Sequence, residues 1–519
     1  MLLWRGFFLW MLWLCAAAQA EVDWRNCGTM PLLDPKAEKV KVQCARISVP
    51  MAYAHDGTAR HDQRKVYLQL HRVPARGKRL GVLLLVSGGP GEPSVLRLLP
   101  ADLLPAKVRE HFDVVAYDPR GIAGSSPRVR CDNNPLLDAR AFVESCVAQT
   151  HPVFLPHVGT FEAAHDVERI RRALGEERLN IIGYSYGSKV AVRHALHYPQ
   201  SVRALVLDGV VNVQHGNYRW RERQQRGFQQ AAERFLEACQ KVADCPFAGV
   251  QADQQMLHAL MAKRAGLERA EAEKKEKNPF LGLLEKGGLR GRRIPADYEL
   301  LEVFYLGLLQ EEHWPSLAHV MGEFLAGKAE TFREHFGFLM DHKQMDALVT
   351  LTCADVAARD VGGSVILQRH LALLSPWDNH HLPYRREEAW PCAHWPHVGS
   401  DYRHPLPPLP ENLPQILLVS REHDPTTPWQ NAREMADWLH APLLTVAGSG
   451  HIVAMTGRSV CADEVVVDYL FQPEKPLRDR HCSVGNGERT LARGILLLGV
   501  VWLLWWGWRR WRKRRAGNA

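Results

Sequence analysis

The sequence predicts an α/β fold in which a mainly parallel sheet carries packed helices. Short, uninterrupted apolar runs at 81–86 and 112–117 are typical of strands that are buried on both faces. Such runs alternate with segments of helical spacing, which indicates parallel strands joined by right-handed crossovers. The chain has 519 residues, 46% hydrophobic and 24% charged, which is enough for a large core and a second domain.

The elements can be justified in chain order. β-type alternation at 40–49 and 65–73 predicts the strands that open the sheet, before the two buried runs. Apolar spacing predicts a helix at 161–174, with Thr160 as its N-cap. The further predicted strands are 179–182, 202–207, 415–419 and 442–446, and the further predicted helices are 188–197 and 431–439.

The strand–helix alternation stops near residue 213 and resumes near residue 411. The chain between these points is mostly helix-like, and its charged stretch 264–277 is interpreted as a solvated helix face or a loop. The sequence therefore predicts a helical cap at 213–410, inserted after the sixth core strand. The core would comprise 21–212 and 411–482.

Both ends of the chain have the character of targeting segments. Residues 1–20 contain Arg5, an apolar run and a small-residue cleavage pattern, which together predict a secretory signal peptide. A retained N-terminal anchor is one alternative. A lipoprotein site at Cys15 is another, which the bulky Leu14 disfavours.

The C-terminal end predicts a membrane anchor. A linker at 483–493 leads to an apolar run at 494–508, which is short for a full crossing, and to a basic tail at 509–519. A processed sorting signal is the alternative. The tail carries six of the positive charges behind the net charge of +8, so the remaining body is nearly neutral and does not suggest a nucleic-acid partner.

Cysteine usage agrees with an exported protein. Ten cysteines remain after cleavage behind residue 20, and an even number in an exported chain indicates disulfides. Metal binding is the competing interpretation, but no C-x-x-C or H-E-x-x-H pattern occurs, so we expect no metal and no cofactor. The chain has no N-x-S/T sequon, which favours a bacterial periplasm or cell envelope. Pairing between sequence neighbours would join Cys27 to Cys44, Cys131 to Cys146, Cys239 to Cys245, Cys353 to Cys392, and Cys461 to Cys482.

The pentapeptide G-Y-S-Y-G at 183–187 follows a predicted strand and precedes a predicted helix. This context is that of a nucleophile elbow, whose tight turn requires glycines and exposes the serine at the positive end of the helix. Ser185 is therefore the predicted nucleophile. A serine hydroxyl barely ionises near neutral pH and needs a base.

The base and the acid are predicted from chain order, which in this arrangement is serine, then acid, then histidine. Asp424 follows the strand at 415–419, and His451 follows the last predicted strand. His451 would accept the proton of Ser185, and Asp424 would orient the imidazole. Glu422 is the second choice for the acid, and His423 follows the wrong strand for the base.

The glycine-rich stretch S-G-G-P-G at 87–91 follows a buried strand. A loop in this place donates one N–H to an oxyanion hole, and the residue after the nucleophile donates the other. We expect the backbone N–H groups of Gly89 and Tyr186 in these roles. A plain turn is the alternative, and a phosphate-binding loop would require a lysine that is absent.

With these residues the chain resembles the proline iminopeptidases and tripeptidyl aminopeptidases among the α/β hydrolases. The resemblance covers about 24–482 and rests on G-G-P-G at 88–91, Y-D-P-R-G at 117–121, G-Y-S-Y-G, and the segments of Asp424 and His451. It implies an α/β-hydrolase core and a serine exopeptidase acting on free N-termini. Ser87 stands where proline iminopeptidases have histidine, which favours the tripeptidyl branch.

The resemblance also implies an acidic site in the cap for the substrate ammonium group. The candidates are Asp297, Glu299, Glu302 and Asp355, of which Glu302 and Asp355 are preferred. Asp118 and Arg120 are interpreted as a buried structural pair beside the oxyanion loop.

Three functions are compatible with the sequence. The first is an exported aminopeptidase with peptide substrates. The second is an esterase or lipase, because the same side chains serve esters and amides. The third is a catalytically inactive binding protein, which the complete set of site residues disfavours.

Overall fold

The fold is described from a computed structural model of the chain. It describes residues 22–30, 40–60, 64–93, 104–132, 137–242, 245–248, 251, 304–325, 342–357, 360–375 and 390–483. The strands are β1 (Arg25–Met30), β2 (Val40–Pro50), β3 (Lys65–Val73), β4 (Gly81–Val86), β5 (Phe112–Tyr117), β6 (Leu179–Tyr184), β7 (Val202–Asp208), β8 (Ile416–His423), β9 (Leu443–Ser449) and β10 (Arg480–Cys482).

These strands form one twisted sheet in the order β1-β2-β3-β5-β4-β6-β7-β8-β9-β10. The first three pairings, β1 with β2, β2 with β3 and β3 with β5, are antiparallel, and all later pairings are parallel. The predicted mainly parallel sheet is therefore confirmed. The sequence missed β1 and β10, because both lie at the sheet edges and β10 is only three residues long.

Helices cover the sheet and also fill the insertion between β7 and β8. The described residues include the α-helices α1 (Ala106–His111), α2 (Ala139–Gln149), α3 (Thr160–Ala173), α4 (Tyr186–His197), α5 (Asn217–Cys239), α6 (Trp314–Leu325), α7 (His342–Val356), α8 (Val361–Leu374), α9 (Ser400–Arg403), α10 (Trp429–Leu439) and α11 (Val460–Phe471). Residues 304–308 are also helical. Helices α5 to α9 belong to the insertion, and we call the described residues of 213–410 the cap.

The burial of the strands follows from their sequences. Every residue of β4, β5 and β6 is buried, as their mainly apolar sequences predict, although β5 contains Asp113 and β6 contains Asn180. In β3 a buried residue alternates with a more exposed one, as expected near the edge. Two apolar clusters result, one on each face of the sheet. The parallel strands lie in the middle of the sheet, and their carboxyl ends lie under the cap.

Arg120 does not pair with Asp118, so that prediction is wrong. Its guanidinium makes a bidentate ion pair with Asp166 on α3. Nε lies 2.7 Å from one carboxylate oxygen, and Nη2 lies 2.5 Å from the other. The Asp166 carboxylate also accepts a 2.7 Å hydrogen bond from the Tyr53 hydroxyl. Asp118 instead accepts the backbone N–H of Gly124 at 2.9 Å and so organises its own turn. The buried brace therefore joins the loop after β5 to α3.

Five disulfides connect the described residues, and they join the sequence neighbours named above. The pairs are Cys27–Cys44, Cys131–Cys146, Cys239–Cys245, Cys353–Cys392 and Cys461–Cys482. Cys27–Cys44 ties β1 to β2, and Cys461–Cys482 ties α11 to β10. The disulfides Cys131–Cys146 and Cys353–Cys392 form a buried cluster with Trp395 and Phe142, where the cap meets the core.

Several predictions concern residues outside the described part of the chain. They are the signal peptide 1–20, the charged stretch 264–277, the linker 483–493 except for its first residue, the apolar run 494–508 and the basic tail 509–519. Within the described part, no helix is both long and apolar enough to span a bilayer.

Candidate active site

Ser185 lies in the turn between β6 and α4. Its backbone adopts φ 53° and ψ −122°, a left-handed conformation that is strained for a residue with a side chain. The glycines on either side allow this turn. A Cβ on Gly187 would lie 2.2 Å from the carbonyl oxygen of Val86, and one on Gly183 would lie 2.6 Å from the carbonyl oxygen of Gly187. The elbow therefore has the geometry that the pentapeptide predicts.

His451 and Asp424 are brought together by adjacent strands. Asp424 follows β8 directly, and His451 follows β9 by two residues. The imidazole Nδ1 lies 3.0 Å and 2.9 Å from the two carboxylate oxygens of Asp424. Both side chains are buried. This geometry orients the ring, with Nε2 remaining for proton transfer.

The carboxylate of Asp424 is held by the turn that follows it. Its Oδ1 accepts the backbone N–H groups of Thr426 and Thr427, each at 2.8 Å, and its Oδ2 accepts the Thr427 hydroxyl at 3.0 Å. Burial alone would lower the pKa of His451, but the charge and hydrogen bond of Asp424 outweigh burial and raise it above its usual value. An imidazolium at residue 451 is thus stabilised.

The end of β7 lies next to both Ser185 and His451. The Ser185 N–H donates to the carbonyl oxygen of Asp208 at 2.8 Å. The imidazole packs on the next residue, since a Cβ on Gly209 would lie 2.8 Å from the His451 Cε1 atom. Among the described residues, the Ser185 hydroxyl has no hydrogen-bond partner. Catalytic hydrogen bonds commonly tighten only when substrate is bound.

Glu422 and His423 do not join this arrangement. Both form the last residues of β8 rather than the loop after it. The Glu422 carboxylate lies 2.9 Å from Nε2 of His481 in an exposed ion pair on β10. Glu422 therefore points away from the imidazole that Asp424 holds.

The glycine-rich loop at 87–91 lies against Ser185. A Cβ on Gly88 would lie 2.9 Å from the Cβ of Ser185, so the backbone at residue 88 runs close beside the serine. Gly89 has φ 99°, which only glycine adopts without strain. Gly89, Tyr186 and Ser185 line one cavity. Tyr186 is the first residue of α4. Backbone N–H groups in the first turn of a helix lack intrahelical acceptors and can bind an anion.

This cavity lies between the core and the cap and encloses about 660 Å³ of space, part of it open to solvent. One wall is apolar, with Val211, Val213, Trp220 and Val356. Another region is charged. A concave site with apolar walls and a few convergent polar groups is typical of a small-molecule or peptide-end pocket.

The charged region consists of Lys189 and Arg193 from α4 and Asp355 and Asp401 from the cap. The Lys189 ammonium lies 2.9 Å from Asp355 and 2.7 Å from Asp401. Arg193 lies 3.5 Å from the other oxygen of Asp401. Lys189 is four residues after Ser185, which corresponds to a rise of about 6 Å along the helix. The cap thus places two carboxylates around the ammonium group of Lys189, whose backbone is about one helical turn after Ser185.

Asp355 lines the cavity, but its carboxylate is already satisfied. It accepts the N–H of Thr160 at 2.6 Å and the Ser400 hydroxyl at 2.8 Å, besides the Thr160 hydroxyl and the Lys189 ammonium. Burial would raise the pKa of Asp355, but Lys189 and the hydrogen bonds of Thr160 keep it below its usual range. Glu302, with Asp297 and Glu299, lies outside the described residues.

The prediction that Thr160 is the N-cap of its helix is wrong. Thr160 is the first residue of α3, and Gly159 occupies the cap position without a side-chain hydrogen bond. The Thr160 hydroxyl bonds to Asp355, and it also lies 2.9 Å from the Tyr186 hydroxyl. The threonine therefore links the core to the cap.

The sequence did not indicate a role for Asp401. It also did not indicate that the cap segment at 309–311 contacts the loop that contains His451, which we call the histidine loop. In Asp401 about a third of the side chain is exposed, at 32%. The carbonyl oxygen of Leu309 accepts the His451 N–H at 2.8 Å, and the Gln310 side chain donates to the His451 carbonyl. Glu311 accepts the Ser449 N–H at 2.7 Å. No local motif marks these contacts, because they depend on how the cap packs.

Comparison with known proteins agrees with this geometry. YuaR of Escherichia coli strain K12 is 31% identical to the chain over 496 residues, which cover 90% of this chain and 94% of that protein. Residues 81–264 match the α/β hydrolase fold family. This chain belongs to the α/β hydrolases. Residues 382–482 of this α/β hydrolase also match the family described as TAP-like protein. The predicted family resemblance is therefore confirmed.

Other relatives carry more specific names. The serine protease Hip1 of Mycobacterium tuberculosis is 29% identical over 498 residues, covering 89% of this chain and 91% of Hip1. Two relatives are 26% identical. Carboxylesterase B of Mycobacterium tuberculosis covers 89% of this chain and 90% of its own. A tripeptidyl aminopeptidase of Streptomyces lividans covers 90% of this chain and 87% of its own.

Proposed function

We propose that this α/β hydrolase is an exported serine aminopeptidase, which releases single residues or short fragments, of prolyl or tripeptidyl type, from the free N-terminus of peptides. The observation that carries the proposal is the cavity that contains both Ser185 and the partly exposed carboxylate of Asp401. A nucleophile beside a cap carboxylate fits a peptide that is held by its terminal ammonium group. The relatives named serine protease and tripeptidyl aminopeptidase support the same class.

In the proposed reaction the Ser185 oxygen attacks the scissile carbonyl carbon, and His451 accepts the hydroxyl proton. The tetrahedral oxyanion receives the N–H groups of Gly89 and Tyr186. His451 then returns the proton to the leaving amine, which leaves an acyl-enzyme. Water, deprotonated by the same imidazole, hydrolyses that ester and regenerates Ser185. These side chains and backbone groups suffice for every step.

Asp401 is the ammonium ligand that the described residues support best. The side chain of Asp401 is 32% exposed, against 2% for Asp355. Its two oxygens lie 2.7 Å from Lys189 and 3.5 Å from Arg193. A substrate ammonium would join Lys189 around this group.

Asp401→Asn is expected to raise KM for peptides with a free N-terminus by about 10- to 100-fold, because a charged hydrogen bond is lost. Mass spectrometry of the products from a peptide library, before and after N-acetylation, measures both step size and dependence on the ammonium group. Asp437→Asn, on the exposed face of α10, is the matched control and should leave KM unchanged. Equal cleavage of acetylated and free peptides would contradict the proposal.

An esterase is the second candidate, because ester and amide hydrolysis pass through the same oxyanion and one relative is named carboxylesterase B. Chromogenic tripeptidyl amides and short-chain esters distinguish the two. An esterase would cleave the esters alone and would not respond to acetylation or to Asp401→Asn.

Export is part of the proposal. Five disulfides in the described residues fit an oxidising compartment such as the periplasm or cell envelope. The predicted signal peptide at 1–20 would direct the chain there, and the apolar run at 494–508 would attach it to the membrane. The N-terminal sequence of the mature protein from fractionated cells tests the first point, and carbonate extraction of membranes tests the second.

A further inference from the structure

Asp208, the last residue of β7, contacts both halves of the catalytic arrangement. Its backbone carbonyl accepts the Ser185 N–H at 2.8 Å. Its side-chain Oδ2 accepts the N–H groups of Val453 and Ala454, each at 2.7 Å, in the loop that follows His451. Asp208 is completely buried. One residue therefore fixes the elbow with its main chain and the histidine loop with its side chain.

The loop that Asp208 holds is conformationally demanding. Ile452 has φ 56° and Met455 has φ 58°, both in the left-handed region that disfavours residues with side chains. The Tyr184 hydroxyl holds the same loop through the Ala454 carbonyl at 3.1 Å. Without these hydrogen bonds the strained loop would relax. The position of the adjacent His451 ring depends on it.

Anchoring the loop does not by itself require a charge at residue 208. An asparagine carbonyl could accept the same two N–H groups, and a buried carboxylate is costly. The cost is increased because Oδ1 of Asp208 has no hydrogen-bond partner among the described residues. The negative charge must therefore be compensated elsewhere, and the His451 imidazole packs on the next residue, Gly209.

We propose that Asp208 is a positioning residue with two effects on His451: it fixes the loop that presents the imidazole, and its carboxylate stabilises the imidazolium through space as a second negative charge beside Asp424. This inference rests on the proposed serine-hydrolase chemistry. Asp424 bonds directly to the ring, whereas Asp208 acts from the side of Ser185.

The titratable and charged groups around Asp208 agree with this role. They are His451 and Asp424 from the two catalytic loops, Tyr184 from β6 and Arg458 from the segment before α11. Glu92, which follows the glycine-rich loop, also raises the pKa of His451, by a smaller effect than Asp424 or Asp208. Burial raises the pKa of Asp208 to about 6, against the opposing effect of its two backbone hydrogen bonds. It is therefore ionised at neutral pH, where it contributes to the raised pKa of His451.

The test uses the rate of labelling by a fluorophosphonate as a function of pH, which requires the triad but no peptide specificity. Removing the charge in Asp208→Asn lowers the pKa of His451, so the midpoint of the acid limb should move down by about one pH unit. The plateau rate should fall by about tenfold, because the imidazolium in the transition state loses one stabilising charge. Asp208→Ser, which is smaller and also uncharged, should shift the midpoint in the same direction.

Asp463→Asn is the matched control. Asp463 is another carboxylate whose pKa burial raises to about 6, and it accepts the Met455 N–H of the same loop at 2.6 Å. Its replacement should lower the melting temperature and leave the midpoint unchanged. Rates are normalised to the folded fraction, so partial misfolding does not affect them.

The outcomes separate the two proposals. A shifted midpoint in both Asp208 variants, but not in Asp463→Asn, supports the positioning role. Wild-type labelling with an unshifted midpoint in the Asp208 variants overturns that role and leaves the serine-hydrolase proposal intact. Absence of wild-type labelling overturns the proposed function itself.

Discussion

Asp424→Asn is expected to lower kcat by about 10⁴-fold while the protein remains folded. The amide would keep the hydrogen bonds from Thr426 and Thr427 with its oxygen, so the turn survives. Its NH₂ group would face Nδ1 of His451, which would then have to accept a hydrogen bond. The ring would carry its proton on Nε2 and could no longer accept the proton of Ser185. Steady-state hydrolysis of a chromogenic substrate measures the loss.

Glu422→Gln is the matched control for this substitution. It makes the same carboxylate-to-amide change two residues earlier, in the exposed pair with His481. We expect full activity, with at most a small loss of stability, because exposed ion pairs contribute little. Loss of activity in Glu422→Gln with retention in Asp424→Asn would reassign the acid of the triad.

Arg120→Met is expected to lower the free energy of unfolding by about 3–5 kcal/mol. Arg120 and Asp166 are both completely buried, and the arginine also donates to the carbonyls of Met51 and His157 at 2.8 Å each. Without the arginine, the buried carboxylate of Asp166 keeps the hydrogen bond from the Tyr53 hydroxyl but has lost its ion-pair partner. Urea unfolding followed by tryptophan fluorescence measures the change.

Two further variants make this prediction specific. Arg120→Met combined with Asp166→Leu should recover a large part of the stability, because replacing both charges avoids the uncompensated carboxylate. Arg433→Met removes an arginine from a more exposed network with Asp437 and Asp479 and should cost about 1 kcal/mol or less. A loss for Arg120→Met no larger than that of Arg433→Met would contradict the brace.

The triad candidates could be predicted from the sequence because of the sheet. In a parallel sheet, the segments that follow neighbouring strands meet at one edge, so the loops of Ser185, Asp424 and His451 converge although they are far apart in the chain. The glycines at 183 and 187 marked the elbow through a steric requirement that a sequence displays directly. The spacing of the cysteines likewise suggested pairs that the structure joins.

The interactions that the sequence did not reveal depend on tertiary packing. Arg120 and Asp166 are 46 residues apart, and no periodicity distinguishes that aspartate from others on α3. Asp401 reaches Lys189 only because α9 of the cap packs beside α4. Asp208 looks like an ordinary strand end, and its role depends on a loop about 245 residues later. Local patterns therefore identified the reactive groups but not the residues that hold them.

The central claim is that Ser185 is the nucleophile of this α/β hydrolase. Labelling of the purified protein with a fluorophosphonate, followed by peptide mapping in a mass spectrometer, tests it most directly. We expect one covalent adduct on the peptide that contains Ser185, and no adduct in Ser185→Ala at equal protein and probe concentrations. Full labelling of Ser185→Ala, or an adduct mapped to a different serine in the wild type, would contradict it.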